Sequence, residues 1–132
     1  MKLQYQVISE IIHVAANNDD IAVIWLYGSR AMGSSTEQSD YDLAIAFKNF
    51  ELSATGKFLR PNELALIWSD DFKLPANLLS VVDINLVPIY LAFNIVEYGE
   101  IIYQTKTSRS FKEQNRIYSQ YEYQMIESIR NE

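Results

Sequence analysis

The sequence predicts an α/β or α+β domain in which one small mixed sheet is flanked by helices and followed by a long C-terminal helix. Its length of 132 residues suits one domain, spanning 1–132. Short apolar runs of strand length alternate with segments of helical periodicity, the pattern of a layered domain that contains both element types. The last segment, 107–132, carries an apolar stripe at helical spacing, which predicts the long helix.

In the first half of the chain, two apolar runs of strand length are bounded by polar or small residues. Such a run is too short for a buried helix, so each predicts a buried strand. Apolar residues at helical spacing near the N-terminus predict an amphipathic helix. The predicted elements are a helix over 3–16, a strand over 21–27, a short helix over 29–34 capped by Ser29 and a strand over 41–47, with a connection over 48–56.

In the second half, proline and glycine mark the boundaries of the elements. Pro61 suits the first turn of a helix, Pro88 ends a strand, and Gly99 suits the C-terminal end of a helix. The predicted elements are a helix over 61–70, a strand over 79–87, a helix over 89–98, an edge strand over 101–103 and a helix from 108 onward. Tyrosines recur along that last helix, and because tyrosine is enriched at interfaces, residues 107–132 are a candidate partner-contact element.

Composition and charge narrow the class of function. The net charge is -6 and no basic face is visible, which disfavours a long nucleic-acid substrate bound by its phosphates. The chain has no cysteine, which excludes disulfides, thiolate zinc sites and cysteine nucleophiles. No stretch is apolar for long enough to span a bilayer, so no membrane association is expected and the expected location is the cytoplasm.

Two carboxylates stand out because they are two residues apart near the start of a predicted strand. Side chains at the spacing of Asp40 and Asp42 point to the same face of a strand, where their charges repel unless a cation lies between them. Magnesium takes oxygen ligands and binds one or two carboxylates together with substrate phosphates. Asp83, in the apolar run of the third strand, is the candidate third acid, or else a buried, hydrogen-bonded structural residue.

A second motif precedes the carboxylates and follows the first predicted strand. Glycine at position 28 lets the backbone approach a phosphate closely, and Ser29 adds a hydroxyl donor. The guanidinium of Arg30 matches phosphate geometry. A Gly-Ser pair after a strand is most often only a turn. Together with the carboxylate pair, however, the loop predicts a triphosphate site beside a metal site, the arrangement needed for nucleotidyl transfer.

Gly28-Ser29, a spacer of ten residues over 30–39, and then Asp40-Tyr41-Asp42 resemble the hallmark of the DNA polymerase β-like nucleotidyltransferase superfamily. The chain's small size and its Gly-Ser-Arg-Ala start resemble the minimal nucleotidyltransferases of the MntA-like antitoxin branch. The resemblance implies the nucleotidyltransferase fold, with Asp40 and Asp42 binding two Mg²⁺ ions, or Mn²⁺. It further implies that Asp83 completes the metal site and acts as general base, and that Gly28, Ser29 and Arg30 bind the triphosphate of ATP.

The same resemblance implies a partner and a reaction. Members of this branch transfer AMP from ATP to a tyrosine of a HEPN-domain RNase toxin and so neutralise it. Two other functions stay open from the residues alone. The chain could neutralise the toxin by stoichiometric binding through its C-terminal helix, or it could be a nucleotidyltransferase that modifies a small molecule such as an aminoglycoside.

Overall fold

The structure is a computed structural model that describes residues 2–131. Its four strands form one mixed sheet in the order β3-β2-β1-β4, flanked by helices on both faces, which confirms the predicted fold class. The elements in chain order are α1 Gln4–Ala16, β1 Ile21–Tyr27, α2 Ser29–Met32, β2 Tyr41–Phe47, α3 Ala54–Asp71, a 3-10 turn at Ala76–Leu78, β3 Leu79–Asp83, α4 Ile89–Tyr98, β4 Glu100–Gln104 and α5 Arg109–Arg130.

Strand β1 lies inside the sheet and pairs antiparallel with β2 on one side and with β4 on the other, while β2 and β3 run parallel. Helices α1 and α3 cover one face of the sheet, and α4 and α5 cover the other. Because alternate side chains of a strand enter opposite layers, Leu43 and Ile45 pack under α1 and α3, whereas Ala44 and Ala46 pack under α4 and α5. Burial on both faces explains the nearly continuous apolar runs of β1 and β2.

Two predicted boundaries are wrong by several residues, and local hydrogen bonds explain both. Strand β3 ends at Asp83, because its side-chain Oδ1 accepts the amide of Asn85 at 2.8 Å and its backbone oxygen accepts that of Leu86 at 3.0 Å, which turns the chain. Helix α3 begins before the predicted start at Pro61, because the hydroxyl of Ser53 caps it by accepting the amide of Gly56 at 3.0 Å. The cap of α2 is residue 28, one before the predicted one.

A buried polar cluster attaches the first half of α5 to the turn after β3. Glu113 accepts hydrogen bonds from Asn85 at 2.9 Å, Arg109 at 2.9 Å and Arg116 at 2.9 Å. Burial alone would raise the pKa of Glu113, but these three partners outweigh it and the pKa is lowered. Further along α5, Tyr121 stacks on Phe93 of α4 with ring centroids 3.8 Å apart. Within residues 2–131, no helix has the length and apolarity needed to cross a bilayer.

Candidate active site

The site lies at the edge of the sheet where β1 ends and β2 begins. Tyr27 and Asp42 are paired across these antiparallel strands, so their side chains project from the same face of the sheet, the face covered by α4 and α5. The next residue, Gly28, has φ +74, a left-handed conformation that glycine adopts without strain. A Cβ atom at Gly28 would stand 2.5 Å from Oδ2 of Asp42, so the backbone of this turn passes directly against the carboxylate.

The structure brings the two predicted carboxylates together. Asp42 is half-buried and Asp40 is exposed, and the two carboxyl groups lie close enough to interact. Burial, followed by the charge and the hydrogen bond of Asp40, raises the pKa of Asp42 from 3.8 to about 6. The phenol of Tyr27 experiences the same negative charge: burial, then Asp42 and then Asp40, raise its pKa to about 12. The edge of the sheet therefore holds concentrated negative charge.

This donor set fits a divalent cation. The carboxylates of Asp40 and Asp42 offer only oxygen atoms, and burial of Asp42 together with the nearby charge of Asp40 raises the pKa of Asp42, an effect that a bound cation would oppose. The absence of a side chain at Gly28 lets the backbone of the turn lie against Asp42, where a Cβ atom would clash. The glycine turn therefore brings its backbone close to any ligand that the carboxylates would hold.

Asp83 lies apart from this pair. It is level with Ile45 in the β2–β3 pairing, and its side chain enters the layer beneath α3, on the opposite face from Asp42. There it is 4% exposed, and Oδ2 lies 3.5 Å from the guanidinium of Arg60. Within residues 2–131, no three His, Cys, Asp or Glu side chains are grouped so as to hold a metal. The prediction that Asp83 completes the metal site is therefore corrected: its position is that of a buried structural carboxylate.

Arg30 also differs from its prediction. Its Nε donates to the backbone oxygen of Ser39 at 2.9 Å, one terminal nitrogen donates to Ser39 at 2.7 Å and to Thr36 at 3.2 Å, and the other donates to Gln4 at 3.1 Å. The guanidinium also lies 3.9 Å from the centre of the Tyr41 ring. Each of its three nitrogens is thus engaged by the protein, so Arg30 fastens the spacer loop that leads to Asp40 and does not face the carboxylate pair.

Sequence reasoning missed Tyr27, although its place at the end of a buried strand, directly before the glycine turn, was the available signal. Tyr27 also lines a cavity of about 230 Å³ beside the turn. The other residues that line it are Gly28, Met32, Asn94, Tyr98 and Gly99. A larger cavity, of about 760 Å³, is lined by Arg30 and Tyr41 among others. Neither cavity is lined by Asp40 or Asp42, but the smaller one is lined by Gly28, whose backbone passes against Asp42, so the smaller cavity lies next to the carboxylate pair.

Replacing Gly28 by alanine is expected to damage the site more than an ordinary turn substitution would. The new Cβ would meet Asp42 at 2.5 Å and would also require a positive φ, so the turn must shift away from the carboxylate. We expect a loss of about 1–3 kcal/mol in the free energy of unfolding and a weakening of Mn²⁺ binding, measured by denaturant unfolding and calorimetry.

Gly33 is the matched control. It has a similar φ of +75, but a Cβ placed there would meet no atom within 4 Å. Gly33→Ala therefore also places a side chain at positive φ, without the clash, although the αL conformation of Gly33 (ψ 12) strains alanine less than the ψ of -155 at Gly28 does. Equal Mn²⁺ affinities in the two variants would contradict the role assigned to the close approach at Gly28.

Comparison with known proteins agrees with this geometry. The family model described as "Polymerase beta, Nucleotidyltransferase" matches residues 9–108. The chain belongs to this nucleotidyltransferase family. No curated protein sequence gives a significant match.

Several solved structures share the fold of this nucleotidyltransferase. A chain of a toxin–antitoxin structure with AMP-PNP has 21% sequence identity and a TM-score of 0.72, over 91% of this chain and 90% of that one. A chain of the complex between tri-AMPylated Shewanella oneidensis HEPN toxin and MNT antitoxin has 19% identity and a TM-score of 0.68, over 95% and 92%. A chain of the MntA–HepT toxin–antitoxin structure has 19% identity and a TM-score of 0.67, over 94% and 92%.

Proposed function

We propose that this nucleotidyltransferase is an antitoxin that transfers AMP from ATP to a tyrosine of a HEPN-domain toxin. The observation that carries the proposal is the carboxylate pair of Asp40 and Asp42 set against the turn at Gly28. Its shared fold with toxin–antitoxin structures supports the choice of partner. The AMP-PNP in one of them and the AMPylated toxin in another support the choice of ATP and of a protein acceptor.

In this proposal the residues of the two motifs have separate roles. Asp40 and Asp42 hold two Mg²⁺ ions, or Mn²⁺, and Gly28 and Ser29 contact the triphosphate through the turn that passes against Asp42. A metal held by these two carboxylates would supply the positive charge that stabilises the transferring phosphate. Arg30 acts indirectly, because it fixes the loop that carries Asp40. The reaction takes place in the cytoplasm.

We assign the toxin contact to the second half of α5. Beyond Tyr121 the helix exposes several large apolar side chains, which is unusual for a surface that stays in water. They are Tyr123, Met125, Ile126 and Ile129, between 40% and 64% exposed. In the proposed function the acceptor tyrosine belongs to the toxin, so a toxin docked on this helix would bring the tyrosine to the site.

Introducing charges on this helix tests the assignment of the toxin contact to α5. The variant Met125→Lys, Ile129→Lys is expected to weaken toxin binding at least about tenfold, because it places two charges in an apolar contact, with little change in melting temperature. The control is Phe58→Lys, Leu66→Lys on α3, where two apolar residues with exposures of 74% and 62% are replaced, against 40% for Met125 and 64% for Ile129. If the control weakens binding and the α5 variant does not, the contact lies on α3.

Intact mass of the toxin tests the proposed function directly. The toxin is incubated with this protein, ATP and Mg²⁺, and we expect it to gain one or more AMP units on tyrosine. An unmodified toxin in a stable complex with this protein would instead support neutralisation by stoichiometric binding, which the apolar surface of α5 also favours. AMP found on an aminoglycoside, with the toxin unmodified, would sink the proposal in favour of a small-molecule transferase.

A further inference from the structure

Within residues 2–131, the strand beside Asp42 on the side away from the glycine turn places no carboxylate on the same face as Asp42. Three strands lie next to one another at this edge of the sheet, and the residue of β3 that is level with Asp42 is Ser80. Directly paired residues of neighbouring strands project from the same face. Ser80 is therefore the neighbour of Asp42 on the β3 side, as Tyr27 is on the β1 side. The one acid of β3, Asp83, faces the opposite layer beside Arg60.

The two sides of Asp42 correspond to the two ends of the reaction. In phosphoryl and nucleotidyl transfer, the attacking and leaving oxygens are roughly in line across the phosphorus. The turn at Gly28 lies on the β1 side of Asp42, and in the proposed function it holds the triphosphate, so pyrophosphate leaves on that side. The acceptor hydroxyl must then approach from the β3 side, over Ser80. This is where a general base would have to stand.

A serine hydroxyl is not a base at neutral pH, and the carboxylates of Asp40 and Asp42 are committed to the cation. We propose that this site selects acceptors acidic enough to lose their proton without a protein base, which means phenols and not aliphatic hydroxyls. The inference rests on the proposed function, and it adds the feature of the site, the serine at position 80, that excludes aliphatic hydroxyls as acceptors. In the step, the phenolate oxygen forms a bond to the α-phosphorus, the bond from that phosphorus to the pyrophosphate oxygen breaks, and the phenolic proton goes to bulk water.

The acidity of the acceptor decides how strong the selection is. A phenol has a pKa of about 10, whereas an aliphatic hydroxyl is close to water, at about 15.7. At pH 7.5 about one phenol in 300 is ionised, and the ionised fraction of an aliphatic hydroxyl is smaller by a factor of roughly 10⁵–10⁶. Once ionised, an aliphatic alkoxide is a stronger nucleophile than a phenolate. The difference in rate is therefore smaller than the difference in ionised fraction. We therefore expect tyrosine to be preferred over serine by about 10³-fold in rate.

The test compares the wild-type chain with Ser80→Ala, Ser80→Asp and Ser80→Asn. Acceptors are the toxin with its natural tyrosine and the same toxin with that tyrosine replaced by serine. Wild type and Ser80→Ala are expected to modify tyrosine within about threefold of each other, with rates that rise about tenfold per pH unit between pH 7 and 9. Ser80→Asp supplies a base, so it should flatten that pH profile and permit transfer to serine. Ser80→Asn, which has the same size without the charge, should do neither.

Mn²⁺ binding checks the position of Ser80 without any reaction. Because a carboxylate at position 80 would share the face of Asp42, Ser80→Asp should tighten Mn²⁺ binding about tenfold by calorimetry, and Ser80→Asn should not. Unchanged Mn²⁺ affinity in Ser80→Asp would overturn the inference, as would a loss of tyrosine transfer in Ser80→Ala. Equal wild-type transfer to serine and tyrosine would also overturn it, while leaving the proposed function standing. A wild-type chain that transfers AMP to no acceptor would overturn the proposed function itself.

Discussion

Replacing Asp40 and Asp42 together by asparagine is expected to abolish AMP transfer while making the metal-free chain more stable. Transfer should fall by at least about 10³-fold, because neutral amides do not hold the cation that stabilises the transferring phosphate. Stability should rise because the variant removes two like charges that crowd each other beside a partly buried strand end. A gain of about 1 kcal/mol, discounted for solvent screening, would raise Tm by roughly 3–6 °C. Such a gain is typical of a site whose charges serve function at the expense of stability.

The pH dependence of stability follows from the same pair. The folded chain raises the pKa of Asp42 from 3.8 to about 6, so between these values it binds more protons than the unfolded chain does. Stability contributed by this group must then fall as the pH rises from about 4 to about 6. The double variant should not show this decline in stability with rising pH. In the wild type, Mn²⁺ should reduce the decline, because the cation takes the place of the proton.

Calorimetric melting between pH 4 and 8, with and without Mn²⁺, measures both effects. The matched control is Asp19→Asn, Glu37→Gln, which removes two exposed acids and so changes the net charge equally. A double variant of Asp40 and Asp42 that melts no higher than this control would show that the pair is not repulsive. Retention of full AMP transfer by the double variant would remove the carboxylates from the proposed mechanism.

The sequence predicted those parts of the site that depend on local pattern. Strands β1 and β2 occupy the predicted residues, and the two-residue spacing of Asp40 and Asp42 does bring their side chains together. Side chains also alternate along β3, since Asp83 faces away from Val82. Alternation does not reveal which of its two faces carries the site, because that depends on the register between β2 and β3.

The register between β2 and β3 is a long-range property. Without it, the sequence assigns the third metal-binding acid to the wrong residue. The pairing places Asp42 level with Ser80, an odd number of positions from Asp83, so the only acid of β3 faces the wrong layer. Sequence could not reveal this, because the connection between the two strands contains a whole helix. The role of Arg30 was hidden for a related reason. Its main partners are the backbone oxygens of Ser39 and Thr36. Every residue has a backbone oxygen, so these partners cannot be recognised from the residue types in the sequence.

Replacing Arg30 by methionine is expected to destabilise the chain and impair the metal site together. The variant leaves the carbonyl oxygen of Ser39 without its two donors, at 2.9 and 2.7 Å, and removes the contact with Gln4. Hydrogen bonds from a charged donor contribute about 1.5–3 kcal/mol in such a setting, so we expect a loss of about 2–3 kcal/mol in the free energy of unfolding. Asp40 directly follows Ser39, so in a loosened loop the distance between the carboxylates of Asp40 and Asp42 is no longer fixed. Mn²⁺ binding and kcat should each fall more than about tenfold.

Arg30→Lys separates this positioning role from a direct phosphate contact. Lysine keeps the positive charge but lacks the planar fork that donates to Ser39, Thr36 and Gln4 at once. If Arg30 fastens the loop, the lysine variant should resemble the methionine variant in Tm and Mn²⁺ affinity, with KM for ATP changed less than about threefold. If Arg30 instead bound the triphosphate, lysine would restore most of the activity, and the methionine variant would raise KM for ATP at unchanged Tm. Melting and calorimetry need neither toxin nor turnover, so they distinguish the two roles even if the acceptor proves to be a different molecule.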